Sequence, residues 1–458
     1  MLFHTWIFAA FFAIVWPAYL ALKRTRFGTP WLLAASYVFY AWWNPLYLLL
    51  IVYSTLIDYL AVVGMARTGR RKAFLAGSIV NNLALLGLFK YAPFVTDNLN
   101  ALLASLGWPY ALPAPTWLLP VGISFYTFQS MSYTIDCYRG RIDAEPSLIR
   151  FAAFVALFPQ LVAGPIERAG HLLPQLRRPR RLSGRDVADG LSLLLVGLFK
   201  KLALADYLAM YVDRVYDVPE AHTGAALAVA TVAFGWQIYF DFSGYTDMAR
   251  GIGRLLGFRL TDNFNHPYLA TGLGDFWRRW HVSLSTWFRD YLYIPLGGGR
   301  RGRLVTVRNV AVTFLVAGLW HGAAWTFVIW GALHAAGLCL TRRLERSAFY
   351  RDKVPGLLKR AWVFAFVTFA WVFFRAPSVS EAWGIVKRIA TAGWADPGFP
   401  LMAAGMVLAV WAHQAVRESR AGWVLRLAPV RVGLAVAMIL YLAGVTGGDA
   451  QPFIYFQF

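Results

Sequence analysis

Long apolar runs, separated by short polar and basic stretches, dominate the chain from one end to the other. A helix needs about 20 mostly apolar residues to cross the roughly 30 Å hydrocarbon core of a bilayer. The pattern predicts about ten to twelve tilted membrane helices in an all-α polytopic membrane protein, with residues 1–458 forming one integral membrane domain. The ordinary crossings are predicted at residues 3–22, 31–43, 46–66, 73–91, 117–137, 187–210, 225–240, 362–374, 401–416 and 432–445.

Two segments do not fit a simple crossing. Residues 148–165 have basic loops on both sides, so we expect a re-entrant or half-spanning segment there. Earlier in the chain, residues 93–115 are predicted to form an outer loop. Residues 310–340 carry no formal charge, and at 1.5 Å per residue they would form about 46 Å of helix. That length is too great for one upright span and too small for two, which predicts a steep tilt, a kink or a re-entrant turn.

A third unusual segment, residues 275–296, is amphipathic. Aromatic and aliphatic side chains recur at helical spacing on one face, and the charges of Arg278, Arg279, Arg289 and Asp290 occupy the other. This pattern predicts a helix that lies flat in the membrane interface. His281 falls on its apolar face, where a histidine is either functional or simply a hydrogen-bonded structural residue.

Composition and charge narrow the class of protein further. Hydrophobic residues make up 59% of the chain and charged residues 15%, against roughly 45–50% and 25% in soluble proteins. A soluble enzyme, a disordered chain and a disulfide scaffold are therefore excluded, the last because only Cys137 and Cys339 are present. The net charge of +21 falls in short clusters between apolar runs, which indicates cytoplasmic loops and contact with membrane lipids, and no nucleic-acid partner.

His321 is the strongest candidate for chemistry. It lies about 17 Å along a helix that begins at Val310, which predicts a position near the bilayer midplane. An ionisable residue at that depth is usually functional, although a structural histidine remains the alternative. His321 suits a general base in acyl transfer or a proton relay in a transporter. The intramembrane acids are predicted near segment ends, at Asp58, Asp136, Asp206 and Asp241. The absence of a buried carboxylate relay favours group transfer.

No zinc motif, Walker loop or nucleophile elbow occurs in the sequence, so no metal is predicted. Three consecutive glycines, residues 297–299, precede Arg300, Arg301 and Arg303. Flexible backbone with dense positive charge fits the phosphates of a bound donor, but a basic cytoplasmic turn would have the same sequence. An acyl-enzyme on Cys137 or Cys339 is a weaker alternative.

Residues 275–298 (from Asp275-Phe-Trp-Arg-Arg-Trp-His) and residues 318–322 (Gly-Leu-Trp-His-Gly) together resemble the membrane-bound O-acyltransferase family. More narrowly, they resemble its bacterial branch, which contains alginate O-acetyltransferase, peptidoglycan O-acetyltransferase and the teichoic-acid D-alanyl transfer protein. Further matching stretches are residues 35–42, 122–126, 163–166, 239–248 and 453–458. The resemblance implies that His321 is the catalytic histidine and that His281 is the second histidine of the motif.

The family fold implies a ring of tilted helices around a central tunnel, in which acetyl-CoA enters from the cytoplasm and an acceptor from the other face. Trp280, Trp320, Trp325 and Asp275 are expected to line that tunnel. The branch also implies the bacterial inner membrane, a polysaccharide acceptor of the alginate type, and a periplasmic partner with a serine nucleophile. Peptidoglycan O-acetylation and D-alanyl transfer to teichoic acid remain alternatives.

The apolar tail is expected to be exposed, either as a docking strand for the periplasmic partner or lying on the membrane interface. Its residues in question are Phe453, Tyr455, Phe456 and Phe458. Two functions from other classes stay open on the sequence alone. One is a polymer or lipid exporter in which His321 only lines the path, and the other is a scaffold that recruits polysaccharide enzymes.

Overall fold

The computed structural model describes residues 1–113, 115, 117, 119–161, 164–445 and 453–454. These residues form helices and connecting loops, with no β-strand among them. The chain divides into two compact units. The first contains residues 1–191 and 249–261, and the second contains residues 192–248 and 262–458. The all-α fold is confirmed, whereas the single domain, the ring and the central tunnel stay predictions.

The helices of the first unit are mostly apolar and hydrogen-bonded to one another by a small number of polar side chains. They are α1 Trp6–Leu22, α2 Gly28–Ala41, α3 Pro45–Thr68, α4 Arg71–Leu86, α5 Ala92–Ser105, α6 Ile123–Tyr138, α7 Leu148–Ala156, α8 Phe158–Leu161 and α9 Ala169–Arg177. The next helix, α10 Gly184–Leu198, begins in the first unit and ends in the second.

The second unit contains the two histidine motifs. Its elements are α11 Asp206–Tyr216, α12 Gly224–Leu256, α13 Leu273–Arg279, α14 Val282–Phe288, α15 Arg303–His321, α16 Trp325–Leu344, α17 Gly356–Arg375, α18 Val379–Thr391, α19 Leu401–Glu418 and α20 Ala428–Val445. Residues at the end of α12 belong to the first unit.

Five helical segments of the described chain are long and apolar enough to cross a membrane. They are Pro45–Thr68, Arg71–Ser105, Gly224–Leu256, Arg303–His321 and Gly356–Arg375. The bent pair Arg420–Arg426 and Ala428–Gly444 makes a sixth if it is counted as one span. The prediction of a multi-pass membrane protein is therefore confirmed. The figure of ten to twelve segments stays a prediction, because it includes helices such as α1 that are shorter than this test requires.

The predicted outer loop at residues 93–115 is wrong as far as Ser105. A turn of π-helix, Gly87–Tyr91, joins α4 to α5, so the helical path continues to Ser105. Pro93 thereby falls in the first turn of α5, where the missing N–H of a proline is tolerated. At residues 148–165, by contrast, α7 and α8 are too short to cross a bilayer, as expected for a re-entrant or half-spanning segment.

The uncharged residues 310–340 form a helical hairpin. The chain breaks at residues 322–324, where Gly322 and Ala324 are extended, and α16 returns along α15. A β-carbon on Gly318 would clash with the carbonyl oxygen of Phe327, and one on Gly331 with that of Phe314. The two backbones are therefore in direct contact, which only glycine permits.

This hairpin corrects the predicted depth of His321. The helix begins at Arg303 and not at Val310, so His321 is its last residue, about 27 Å from the first. The estimate of a midplane position rested on the wrong starting residue.

Candidate functional site

His321 ends α15 inside a cage of aromatic rings. The side chain is 5% exposed. The ring centroids of Trp320 and Trp330 lie 5.1 Å from the imidazole, and that of Phe374 lies 5.3 Å away, all three edge-on. The break after His321 stops the helix at this point, and the aromatic walls exclude bulk water from most of the ring.

His281 lies in a sharp break in the chain. The predicted continuous flat helix over residues 275–296 is wrong, because α13 ends at Arg279 and α14 starts at Val282. His281 has a φ of 42°, in the left-handed region that residues other than glycine rarely adopt. The amphipathic division is nevertheless observed, since Phe276, Trp280 and Leu284 are buried while Arg278 and Arg289 are exposed.

Asn263 holds the His281 ring. Its amide oxygen Oδ1 lies 3.1 Å from His281 Nδ1 and accepts hydrogen bonds from the backbone N–H and hydroxyl of Ser283, at 3.1 and 2.9 Å. Because a backbone N–H only donates, the shared atom is an oxygen, and His281 donates from Nδ1. The lone pair of the neutral ring is then on Nε2. Burial lowers the pKa of His281 to about 3, so the imidazole stays neutral at physiological pH.

Trp320 joins the two histidines. Its ring centroid lies 6.2 Å from that of His281 and 5.1 Å from that of His321. The two histidines, which are far apart in sequence, therefore belong to one buried aromatic cluster. The catalytic roles of His281 and His321 stay predictions, but the structure brings them together as a shared site requires.

The predicted tunnel residues fall into two groups. Trp280 is buried and its ring centroid lies 5.2 Å from that of Trp371, which stacks on Trp330 beside His321. Trp280 and Trp320 thus belong to the aromatic cluster. The second group consists of Trp325 and Asp275. Trp325, at the start of α16, is 55% exposed. Asp275 forms an ion pair along α13 with Arg279, at 3.1 Å.

The glycine-arginine loop is an exposed turn. Arg300, Arg301 and Arg303 are all exposed. Gly297, Gly298 and Gly302 have φ of 110°, 56° and 91°, which explains why glycines recur in this loop. The buried Asn309 secures the turn by donating to the carbonyl oxygens of Leu296 and Gly298, at 3.2 and 2.9 Å. Binding of a donor's phosphates by these arginines stays a prediction.

His334 was missed by the sequence analysis. It is completely buried on α16, and neither ring nitrogen has a hydrogen-bond partner among the described residues. Its ring centroid lies 4.7 Å from that of Trp330, which also contacts His321, and 5.0 Å from that of Trp277. The sequence signal was available, because His334 is the other histidine in the uncharged run of residues 310–340.

A buried ion cluster was also missed. Lys201 is 1% exposed, and its Nζ lies 2.8 Å from Asp206 and 2.9 Å from Asp241. Asp241 lies in the middle of α12, and Asp58 is completely buried in the middle of α3, bound by Ser78 and Asn82. The expectation that these two acids lie near segment ends is therefore wrong. With these acids buried, an absence of buried carboxylates no longer argues against a transporter.

Part of the C-terminal tail is packed inside the second unit. Phe453 has no exposed surface, and its ring centroid lies 4.4 Å from that of Tyr245 and 5.9 Å from that of Phe242. The backbone N–H of Ile454 donates to Asp241 at 2.7 Å. Phe453 is thus not exposed, and the expectation that it is free to bind a partner is wrong. Tyr455, Phe456 and Phe458 lie outside the described residues.

Thiols and possible metal ligands are the remaining candidates for chemistry. Cys137 and Cys339 are both half-buried free thiols. Within the described ranges, no group of three or more His, Cys, Asp or Glu side chains is arranged to hold a metal ion.

Comparison with known proteins assigns the chain that carries this cluster to a family. The model of MBOAT, the membrane-bound O-acyltransferase family, matches residues 106–379, which include both histidine motifs. The chain is 43% identical over 391 residues to probable alginate O-acetylase AlgI of Azotobacter vinelandii, covering 84% of this chain and 77% of the relative. It is 35% identical over 422 residues to peptidoglycan O-acetyltransferase of Helicobacter pylori, covering 84% and 79%.

A more distant relative is teichoic acid D-alanyltransferase of Bacillus subtilis, at 26% identity over 313 residues, covering 62% of this chain and 78% of the relative. A multi-pass helical membrane protein with two histidines in one buried cluster fits a membrane-embedded transferase. The chain belongs to the membrane-bound O-acyltransferase family, as the sequence resemblance predicted, and it is an acyltransferase.

Proposed function

We propose that this acyltransferase moves an acetyl group from acetyl-CoA to a hydroxyl group of a cell-envelope or exported polysaccharide, and that it works in the bacterial inner membrane. The likeness to alginate O-acetylases over most of the chain favours an acceptor of the alginate type. The observation that carries the mechanism is the placement of His281 and His321 against one indole, that of Trp320.

His321 acts as the general base in this proposal. Its imidazole takes the proton from the acceptor hydroxyl as that oxygen attacks the thioester carbonyl. The tetrahedral intermediate then collapses, the carbon–sulfur bond breaks, and the imidazolium returns its proton to the departing thiolate. The aromatic walls around His321 keep water from competing with the acceptor, so hydrolysis of the donor is suppressed.

His281 has a different role in this proposal. It remains neutral with its proton on Nδ1 directed to Asn263, so its Nε2 is an acceptor and not a donor. It therefore orients an acceptor hydroxyl by accepting a hydrogen bond, and it does not stabilise the oxyanion. The donor for the oxyanion comes from another group of the site or of the substrate.

The acceptor hydroxyl belongs, in this proposal, to a serine of a periplasmic partner, which passes the acetyl group on to the polymer. The CoA phosphates bind Arg300, Arg301 and Arg303, whose exposure leaves their guanidinium groups accessible. Acetyl-CoA is a substrate, and no permanently bound cofactor is required.

The test is acetyl transfer from labelled acetyl-CoA in membrane vesicles that contain the acceptor polymer and the exported partner. General base catalysis contributes about 10²–10⁴-fold, so His321→Ala is expected to lose activity by that factor. The matched control is His222→Ala, which removes a half-buried imidazole of the same unit that lies 3.1 Å from the carbonyl oxygen of Arg214. Equal activity of His321→Ala and the control would refute the proposed mechanism.

The identity of the acceptor is tested with the same vesicles. Alginate, peptidoglycan fragments and teichoic acid are supplied in separate reactions, with acetyl and D-alanyl donors compared. Acetylation of alginate is the expected result. Transfer to peptidoglycan alone, or transfer of D-alanine alone, would overturn the proposed acceptor while leaving the role of His321 intact.

A further inference from the structure

An arginine-lined cavity lies in the first unit, and none of the residues assigned to the site above lines it. Its volume is about 410 Å³, within the range of small-molecule pockets. Five arginines against two aspartates leave its lining with a formal charge of +3. The lining residues are Arg180, Arg181, Ser183, Arg185, Asp186, Asp189, Arg254 and Arg259.

The acidic residue Asp186 supports the wall of this cavity. Its carboxylate accepts a hydrogen bond from the Ser183 hydroxyl at 2.6 Å, and the Ser183 oxygen accepts from the Asp186 N–H at 3.1 Å. The same carboxylate lies 3.3 Å from Arg254, which ties the start of α10 to the end of α12. Hydrogen bonds from Ser183 hold the pKa of Asp186 below its usual value, so its charge is constant near neutral pH.

Three of the arginines are available to a ligand. Arg180, Arg181 and Arg185 are exposed and form no salt bridge or side-chain hydrogen bond with the described residues. They converge on one cavity although like charges repel, an arrangement that is stabilised when an anion binds. The planar guanidinium matches the geometry of phosphate oxygens in paired hydrogen bonds, which makes arginine the usual residue for phosphate recognition.

Lys23 provides an independent observation. It is 8% exposed, and its Nζ has no hydrogen-bond partner among the described residues. Burial, and then the charge of Arg24, lower its pKa, and the charge of Asp186 opposes them with a smaller effect. A β-carbon placed on Gly257 would lie 3.9 Å from this Nζ and 3.7 Å from the carbonyl oxygen of Arg180, so the amine lies close to the backbone of one lining residue. A buried ammonium without a hydrogen-bond partner is costly, and an anion in the cavity offsets that cost.

We propose that this cavity binds a phosphate-bearing ligand with at least two negative charges. The positive charge, the arginine geometry and the volume together favour phosphate esters over a single small anion. Two sources supply this chemistry, namely the nucleotide part of a CoA-type donor and the headgroup of an anionic phospholipid. In the first case the inference rests on the proposed function, and this cavity holds the CoA phosphates in place of Arg300, Arg301 and Arg303.

The test uses the full chain in phosphatidylcholine nanodiscs, with CoA binding measured by calorimetry. The variant Arg180→Gln/Arg185→Gln removes two charges from exposed positions of the cavity. We expect it to weaken CoA binding about tenfold or more, because hydrogen bonds to charged groups are the stronger class. The matched control, Arg67→Gln/Arg70→Gln, removes two exposed charges of the same unit outside the cavity and is expected to leave binding unchanged.

A second arm tests the lipid source. Anionic lipid retained by the purified chain is measured by native mass spectrometry after exchange into nanodiscs containing phosphatidylglycerol. Loss of retained lipid in the cavity variant but not in the control supports a headgroup site. If the cavity variant and the control behave alike toward both CoA and phosphatidylglycerol, the proposal is overturned.

Lys23→Met keeps the proposal falsifiable if the arginine variant fails to fold. The exchange preserves volume and removes a buried unpaired charge, so we expect a higher melting temperature together with weaker binding of the same probe. Unchanged binding would refute a ligand-facing role for Lys23. The binding experiments test the cavity without requiring turnover. Failed acetyl transfer with normal CoA binding would reject only the proposed function. Unaltered binding of both CoA and phosphatidylglycerol in the arginine variant and in Lys23→Met would reject only the cavity.

Discussion

His334 shows at the scale of a single residue how a buried polar group is left unsatisfied inside an aromatic cage. His334→Phe keeps a planar ring of similar size and removes both unbonded nitrogens. Since an unsatisfied buried polar group costs about 1–3 kcal/mol, we expect a higher melting temperature in detergent. His334→Ala serves as control and is expected to lower it through a cavity. A lower melting temperature for His334→Phe would contradict this, because it would mean that the ring nitrogens are bonded in the native protein.

The pair of His171 and Glu167 predicts a pH dependence of stability. Their side chains are 2.7 Å apart, and the hydrogen bond to Glu167 raises the pKa of His171 above its ordinary 6.5. The protonated ring is thus favoured in the folded state. Its stabilisation is complete below pH 6.5 and is lost as the pH rises through the raised pKa. The effect is small, because the His171 side chain is 46% exposed.

The measurement is the melting temperature of the native chain and of His171→Gln from pH 5.5 to 8.5. The native chain should lose stability relative to the variant as the pH rises. Parallel curves for the two proteins would show that the ion pair contributes nothing.

The glycine contacts between α15 and α16 let the two helices pack as one hairpin. Gly331→Ala places a methyl group against the carbonyl of Phe314, and overpacking of this kind costs about 1–3 kcal/mol. We expect a lower melting temperature and reduced acetyl transfer, since α15 carries His321. Gly405→Ala on α19 is the matched control, because no atom lies within 4 Å of its added methyl group. If both alanine variants behave alike, the helices of the hairpin are not in backbone contact.

Helices were easier to predict than their interruptions. Apolar runs predicted both ends of α3, the start of α12 and the end of α17 to within two residues, because these need only local apolar residues. The end of α12 was predicted 16 residues too early and the start of α17 six residues too late. The break at His281 depends on Asn263, 18 residues earlier, so helical spacing on both sides gave no sign of it. The start of α15 was placed too late for another reason. Arg303 and Arg308 look like loop residues by polarity, although helix ends are set by backbone hydrogen bonds.

The C-terminal tail contributes to the core of the protein through Phe453. Phe453→Ala should destabilise the protein by about 3–5 kcal/mol, the usual cost of emptying a phenylalanine site in a core. Thermal unfolding of purified protein measures the change, with the half-exposed Leu434→Ala as control. A loss no larger than that of the control would show that Phe453 is not part of the core in solution.

The candidate site was predicted in part. Both histidines came from the sequence, because each is an unusual polar residue in an apolar setting. Their common contact with Trp320, the ion cluster of Lys201 and the burial of Phe453 all depend on residues distant in sequence. The tail contact is the clearest case, since Ile454 and Asp241 are 213 residues apart. Local pattern carries no information about such pairings, and the composition of the tail alone made it appear exposed.

The hairpin also bears on how the chain is made. α15 is long and apolar enough to enter a bilayer alone, whereas α16 does not meet that test and contains the polar His334. Its glycine surface fits against α15, so α16 gains a partner for its backbone only once α15 is in place. A ribosome adds about 5–20 residues per second, which delays α16 by a second or more. Translation order therefore delivers the receiving helix to the membrane before the helix that depends on it.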